Sequence, residues 1–325
     1  MGEIKEKASA WSPTISYLGA LALGGVLLVA AWTKLLDPMS FAEQIELEGL
    51  DFLLSAPTVA FIALALEVGL GFALVIGLRK LSVLVPTSLL VVFFLWLTGR
   101  NWYLVAQGLR DESAACGCFG NLVQRTPAEA FWQDLILLVP PLLLAWWGRG
   151  LPKRWIALRA AAAVVVTIGA LIFAVKAPDL PLDDLATRLS PGVEVGSLCA
   201  GADAQKVCLD TLVPELAQGE HLVVISSLEE ENFLAQVDTL TFFSLDNPSP
   251  RIWVVSAAEV EERQAFSWKY GPAFEIRDVP EALLKPLYRS LPRSFRVVDG
   301  TVTETWRSVP PLNAAEVGSS EGSGP

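Results

Sequence analysis

Apolar and polar positions alternate differently in the two halves of the chain. In the first half, residues 14–33, 57–77, 81–99, 131–148 and 157–175 form long apolar runs. Each is long enough, or nearly so, to cross a bilayer core of about 30 Å, so each predicts a membrane helix. Pro140-Pro141 in the fourth predicts a kink rather than a stop. Residues 177–191, rich in Pro, Asp and Leu, read as a linker. Beyond it, strands are predicted over 221–226, 251–256, 274–277, 294–298 and 302–306, and helices over 229–240, 258–270 and 281–289. Asp299-Gly300 is a hairpin turn signal. Strands mixed with helices and closed by a hairpin predict an α/β sandwich. The small, polar tail from Leu312 is expected to be disordered. The implied segments are a membrane domain over 1–150, a fifth helix and linker over 151–190, an α/β domain over 191–311 and a tail over 312–325.

Charge sharpens this division. Of 325 residues, 53% are hydrophobic and 18% charged, against about 25% charged in soluble domains. Through Lys176 there are 13 Lys and Arg against 12 Asp and Glu, and beyond it 11 against 23. The net charge of −11 therefore belongs to the second half. That sign on the soluble part argues against nucleic-acid binding, and the composition excludes a disordered or fibrous chain. With the N-terminus in the cytoplasm, Lys5, Lys7, Arg79, Lys80, Arg149 and Lys153 all fall inside, while the first outer loop carries Glu43, Glu46, Glu48 and Asp51. The eight tryptophans of this half lie at or near predicted span ends, as an interfacial belt requires. Five crossings place the acidic half outside: a multi-pass protein of a bacterial-type inner membrane with a periplasmic C-terminal domain. The alternative is that the first run is a cleaved signal peptide behind Lys5 and Lys7, although its apolar stretch is long for that role.

Two features of the membrane half carry chemistry. Cys116-Gly117-Cys118-Phe119-Gly120 lies in the second outer loop. Two thiols one residue apart can close a small, exchange-prone disulfide, and an oxidising compartment lets such a pair cycle. A static pair and a metal site are the other readings; the metal reading lacks ligands, because the single histidine, His221, is far away in sequence. Glu67 sits in the middle of the second run. An ionisable group there costs several kcal/mol unless paired or protonated, which makes it a functional candidate, with hydrogen-bonded helix packing as the bland alternative. Its candidate partners are Lys34, Arg100 and Asp134, and the sequence does not choose among them.

Lys34-Leu35-Leu36-Asp37-Pro38 with Phe41, Leu66-Glu67-Val68-Gly69-Leu70-Gly71, the Cys-Gly-Cys-Phe-Gly element and the helix bearing Asp134 together resemble the MauE/DoxX family of redox-associated membrane proteins. The resemblance covers about residues 17–147. It implies a four-helix membrane bundle in which Cys116 and Cys118 are the redox pair; Lys34, Asp37, Glu67, Arg100 and Asp134 are read from the chain itself as its intramembrane or interface polar groups. It also implies a part in methylamine utilisation, where the family supports maturation of the disulfide-rich small subunit of methylamine dehydrogenase. The fifth helix exceeds the four-helix pattern and reads as a tether.

The second half resembles the thioredoxin-like superfamily, through Leu291-Pro292-Arg293-Ser294-Phe295-Arg296-Val297, then Asp299-Gly300 and Trp306. The resemblance implies that Pro292 is cis and faces the site where the family has Cys-x-x-Cys. Here Leu228-Glu229-Glu230-Glu231-Asn232 stands in that place, so thioredoxin chemistry is absent while acidic residues suit a helix start. Cys199 and Cys208 flank a short turn and are expected to pair locally; a relay with Cys116 or Cys118 is the other reading. Two functions follow. One is a membrane thiol–disulfide component acting on exported proteins. The other is a non-catalytic assembly factor whose degenerate domain docks a client. No cofactor or metal is required by the sequence. A membrane quinone is a conceivable electron acceptor, and the partners are the bilayer and an exported client or redox protein.

Overall fold

The computed structural model describes residues 2–110, 125–147, 155–201 and 206–312, with the side chains of residues 2–13 excluded. It divides into two units, the first ending at Leu182 and the second beginning at Asp183.

The first unit is helical: α1 (Gly2–Leu36), α2 (Pro38–Leu47), α3 (Ala56–Val75), α4 (Leu81–Ala106), α5 (Pro127–Trp147) and α6 (Ile156–Lys176). Five of its helices are long and apolar enough to cross a membrane, namely Thr14–Leu36, Ala56–Val75, Leu81–Ala106, Pro127–Trp147 and Ile156–Asp179. The protein is therefore a multi-pass membrane protein in contact with the bilayer. Small residues set how closely the helices approach. A Cβ on Gly24 of α1 would lie 2.6 Å from the Gly71 carbonyl of α3, and one on Gly19 would lie 2.8 Å from the Pro141 carbonyl of α5. Leu23, Leu27, Leu74, Leu84, Val91, Phe94 and Leu138 fill the interior between α1, α3, α4 and α5. Helix α1 is thus central to the bundle, and cleaving it as a leader would remove the surface on which α3 and α5 pack. Helix α6 lies against α3, through Ala174 with Leu64 and Val68, and leaves Val164, Val165, Ile168, Ile172 and Val175 exposed.

The second unit runs α7 (Asp183–Ala186), β1 (Cys199–Ala200), β2 (Val207–Cys208), α8 (Leu209–Leu212), β3 (Glu220–Ile225), α9 (Glu231–Leu234), α10 (Val237–Asp246), β4 (Arg251–Ser256), α11 (Val260–Tyr270), β5 (Glu275–Asp278), α12 (Glu281–Leu284), β6 (Arg293–Val298) and β7 (Thr301–Trp306). Five strands form a mixed sheet in the order β5-β4-β3-β6-β7. Strands β3, β4 and β5 are parallel, whereas β6 and β7 are antiparallel additions. Both faces are covered. Val223, Ile225, Trp253, Val255, Phe295 and Val297 point into one core, while Leu222, Val224, Ile252 and Val254 meet α9, α10 and α11 in the other. Double coverage explains why β3 and β4 are continuous apolar runs rather than alternating ones. Asp299 and Gly300 both adopt positive φ, 46° and 78°, as a tight hairpin between right-twisted strands demands.

Two predicted elements differ. The helix expected over 229–240 is two, α9 and α10, separated at Ala235-Gln236 so that Phe233, Val237 and Leu240 all reach the core. The expected linker ends early, because from Asp183 the chain is already part of the sheet unit. The tail expected to be disordered lies, beyond Leu312, outside the described residues.

Candidate functional site

The site begins with a broken helix. Pro38 disfavours helical backbone at Asp37, so α1 stops at Leu36. Asp37 then caps α2, its carboxylate accepting from the Ser40 amide at 3.1 Å with Pro38 in the first turn. Helix α2 is an element that the apolar pattern did not predict, although Asp-Pro followed by a short amphipathic stretch was its signal. The break turns Phe41 of α2 back onto Lys34, one turn before the proline.

Lys34 donates to Oε1 of Glu67, the twelfth of 20 residues in α3. The two side chains are 2% and 0% exposed. The ammonium also lies over two aromatic faces, 4.8 Å from the Phe41 ring centre and 5.2 Å from that of Phe94, an arrangement worth about 2 kcal/mol or more when desolvated. The neighbours of the pair along α1 and α3, Ala31, Leu35, Leu64 and Val68, form an apolar cluster with Ala174 of α6. Of the three partners the sequence offered Glu67, the structure brings only Lys34 to it.

The other two hold the end of the bundle. Arg100 and Arg110 donate to the two carboxylate oxygens of Glu48, at 3.0 and 2.7 Å, and Asn101 donates to it at 3.0 Å. Arg110 also donates to the Asn101 side chain and to the Leu47 carbonyl. This clamp joins the end of α2 to the end of α4 and was missed in the sequence, where Glu48 read only as one of several outer-loop acids. Asp134 of α5 pairs with Arg125 at 3.4 Å, both nearly buried at 2% and 5% exposure. Helix α5 starts with a capping box, Thr126 accepting from the Glu129 amide at 3.2 Å and Glu129 from the Thr126 amide at 3.0 Å. Cys116 and Cys118 lie between these two arginines, in residues 111–124, outside the described residues.

The family model for methylamine utilisation protein MauE matches residues 12–148. This is a MauE-like membrane protein. No curated protein matches the chain. Every polar group described above falls inside the matched range, as do Cys116 and Cys118; α6 and the sheet unit lie beyond it.

In the sheet unit of this MauE-like protein, Cys199 and Cys208 are joined by a disulfide across the paired β1 and β2, where they are register partners. Leu291-Pro292 is a cis peptide. Ile225 at the end of β3 pairs with Arg293, the residue that follows Pro292. The segment after β3 carries Leu228, whose side chain is buried in the core, and Glu230 as the cap of α9. The single histidine is internal. Trp253 donates its indole N–H to His221 Nδ1 at 3.0 Å, leaving Nε2 to donate to the Gln218 carbonyl at 2.8 Å. Among the described residues no three His, Cys, Asp or Glu side chains are grouped to hold a metal.

Proposed function

We propose that this MauE-like protein supports thiol–disulfide chemistry of exported proteins, with Cys116 and Cys118 as the exchanging pair. The observation that carries the reading is the MauE match spanning both cysteines. It is supported by the buried or half-buried arginine contacts that fix the chain on either side of their loop. In the forward direction, a client thiolate attacks the Cys116–Cys118 bridge to form a mixed disulfide. A second client thiolate resolves it, leaving the client oxidised and the pair as a dithiol. Reoxidation passes two electrons and two protons to a redox partner or a membrane quinone. The family's description points to methylamine utilisation, hence to methylamine dehydrogenase maturation, as the setting. The N-terminus is cytoplasmic in this proposal, and the acidic sheet unit faces the periplasm across an inner membrane.

The sheet unit serves as a thioredoxin-like docking module. It has a cis proline just before β6, the partner of β3, but after β3 it has serines, a buried leucine and glutamates where an exchanging unit needs cysteines. That observation favours a second reading in which the whole protein is a non-catalytic assembly factor. Cys116→Ser and Cys118→Ser separate the two. Under the redox reading each abolishes client disulfide maturation at unchanged protein level, because one remaining thiol cannot form the bridge that the client attacks, and removing the client's second, resolving thiol instead accumulates a mixed disulfide visible on non-reducing gels. Normal maturation by both variants leaves the assembly factor. Differential alkylation of the pair in native membranes, with and without quinone, reads the electron acceptor.

A further inference from the structure

The Lys34–Glu67 pair is built unlike an ion pair that serves packing alone. Buried polar atoms are nearly always hydrogen-bonded, and one that is not calls for an explanation. Glu67 Oε1 accepts from Lys34, whereas Oε2 is buried and has no hydrogen-bond partner among the described residues. The cation, by contrast, is supported twice over, by the carboxylate and by the faces of Phe41 and Phe94. The aromatic support does not depend on the charge of Glu67. The ammonium therefore keeps favourable contacts whether the carboxyl is ionised or neutral, and the unfilled oxygen is where a proton can sit without breaking an existing bond.

We propose that Lys34 and Glu67 form a proton-exchanging site inside the membrane domain, with Glu67 Oε2 as the atom that gains and loses the proton. The rings of Phe41 from α2 and Phe94 from α4 face the ammonium, and Leu64 and Val68, close to Glu67 along α3, belong to an apolar cluster with Ala31, Leu35 and Ala174. Lys34 is the charged group in contact with Glu67, and the nearest other titratable residue along α1 and α2 is Asp37, which caps α2. The site's purpose, though not its existence, rests on the redox reading. Two thiols closing to a disulfide release two electrons and two protons, a quinone reduced to quinol takes up the same, and Glu67 holds one of those protons inside the bundle.

The test is pH-difference infrared spectroscopy of the full-length protein in phospholipid vesicles. Protonating a carboxylate creates a C=O stretch in the protonated-carboxyl region, and here that carbonyl is Oε1, still accepting from Lys34. The expected result is a band component in that region that grows as pH falls, persists in Asp37→Asn and Asp134→Asn, and is lost in Glu67→Gln. Labelling the wild-type protein with carboxyl-¹³C glutamate must shift the band, and labelling aspartate must not, so the assignment holds even where a variant fails to fold. Absence of the band in the wild type, or its survival in Glu67→Gln, overturns the proposal. Cys116→Ser separates the two readings. Normal client maturation with the band intact defeats the redox reading alone, whereas lost maturation in a protein that never shows the band defeats the proton site alone.

Discussion

Both units bury charge, and they do so in opposite ways. In the sheet unit, Arg293 at the start of β6 is 1% exposed; its terminal nitrogens meet Asp183 at 3.1 Å, Asp184 at 2.9 Å and the Leu189 carbonyl at 3.2 Å, while its buried Nε has no hydrogen-bond partner among the described residues. Arg307 joins Asp183 and Thr305 joins Asp184, so two carboxylates and several donors close a network. Burial pushes the Arg293 guanidinium below its usual range, and the two aspartates push it back up. In the membrane unit a single cation meets a single carboxylate, with one oxygen left open and rings in place of further hydrogen bonds. The closed network fastens α7 to the sheet. The open pair is arranged to change its charge. The number of opposite charges gathered, rather than burial, distinguishes the two: several ions in the sheet unit, one of each sign in the membrane unit.

Removing a partner should expose that difference. Arg293→Met strands Asp183 and Asp184 without their main counter-charge, and breaking a buried pair costs about 3–5 kcal/mol. Denaturant unfolding followed by tryptophan fluorescence should register most of this. Lys34→Met combined with Glu67→Leu should instead leave abundance and thermal stability near wild type, because replacing both members of a buried pair by apolar groups is often neutral. A large loss in the double variant would make the pair a clasp as well.

The disulfide is next in size. Cys199 and Cys208 are nine residues apart, and closing a loop that short restricts the unfolded chain by about 2–3 kcal/mol. Cys199→Ala with Cys208→Ala should lower the stability of the sheet unit by that amount and leave the infrared band of Glu67 unchanged.

Packing in the membrane unit gives a smaller effect. Gly19→Ala sets a methyl 2.8 Å from the Pro141 carbonyl and 2.9 Å from the Ala145 amide, both backbone groups. Overpacking of this kind costs about 1–3 kcal/mol, read as reduced thermal stability in detergent. Gly25→Ala, which meets nothing within 4 Å, is the matched control and should be silent.

The smallest effect is at α11. Glu259 and Glu262 form a reciprocal capping box. Glu262→Ala should remove about 0.5–1 kcal/mol, visible as a small shift in the unfolding midpoint of the sheet unit with no change in the membrane unit.

The sequence by itself determined the membrane spans, the sheet's strands and the closing hairpin. Each depends on local composition: apolar runs of bilayer length, doubly buried strands, and Asp-Gly at a turn that needs positive φ. It also singled out Glu67, because a charge amid apolar residues is conspicuous without any fold. Tertiary structure alone decided the partners. Lys34, Arg100 and Asp134 were equivalent candidates along the chain, and only antiparallel packing of α1 on α3 brings Lys34 alongside Glu67, while Glu48 and Arg125 take the other two. Asp183 and Asp184 likewise looked like linker acids until β6 and β7 delivered Arg293 and Arg307 to them, more than 100 residues away. Spans and strands are fixed by contacts a few residues apart, whereas ion pairs are chosen by which helices and strands the fold sets side by side.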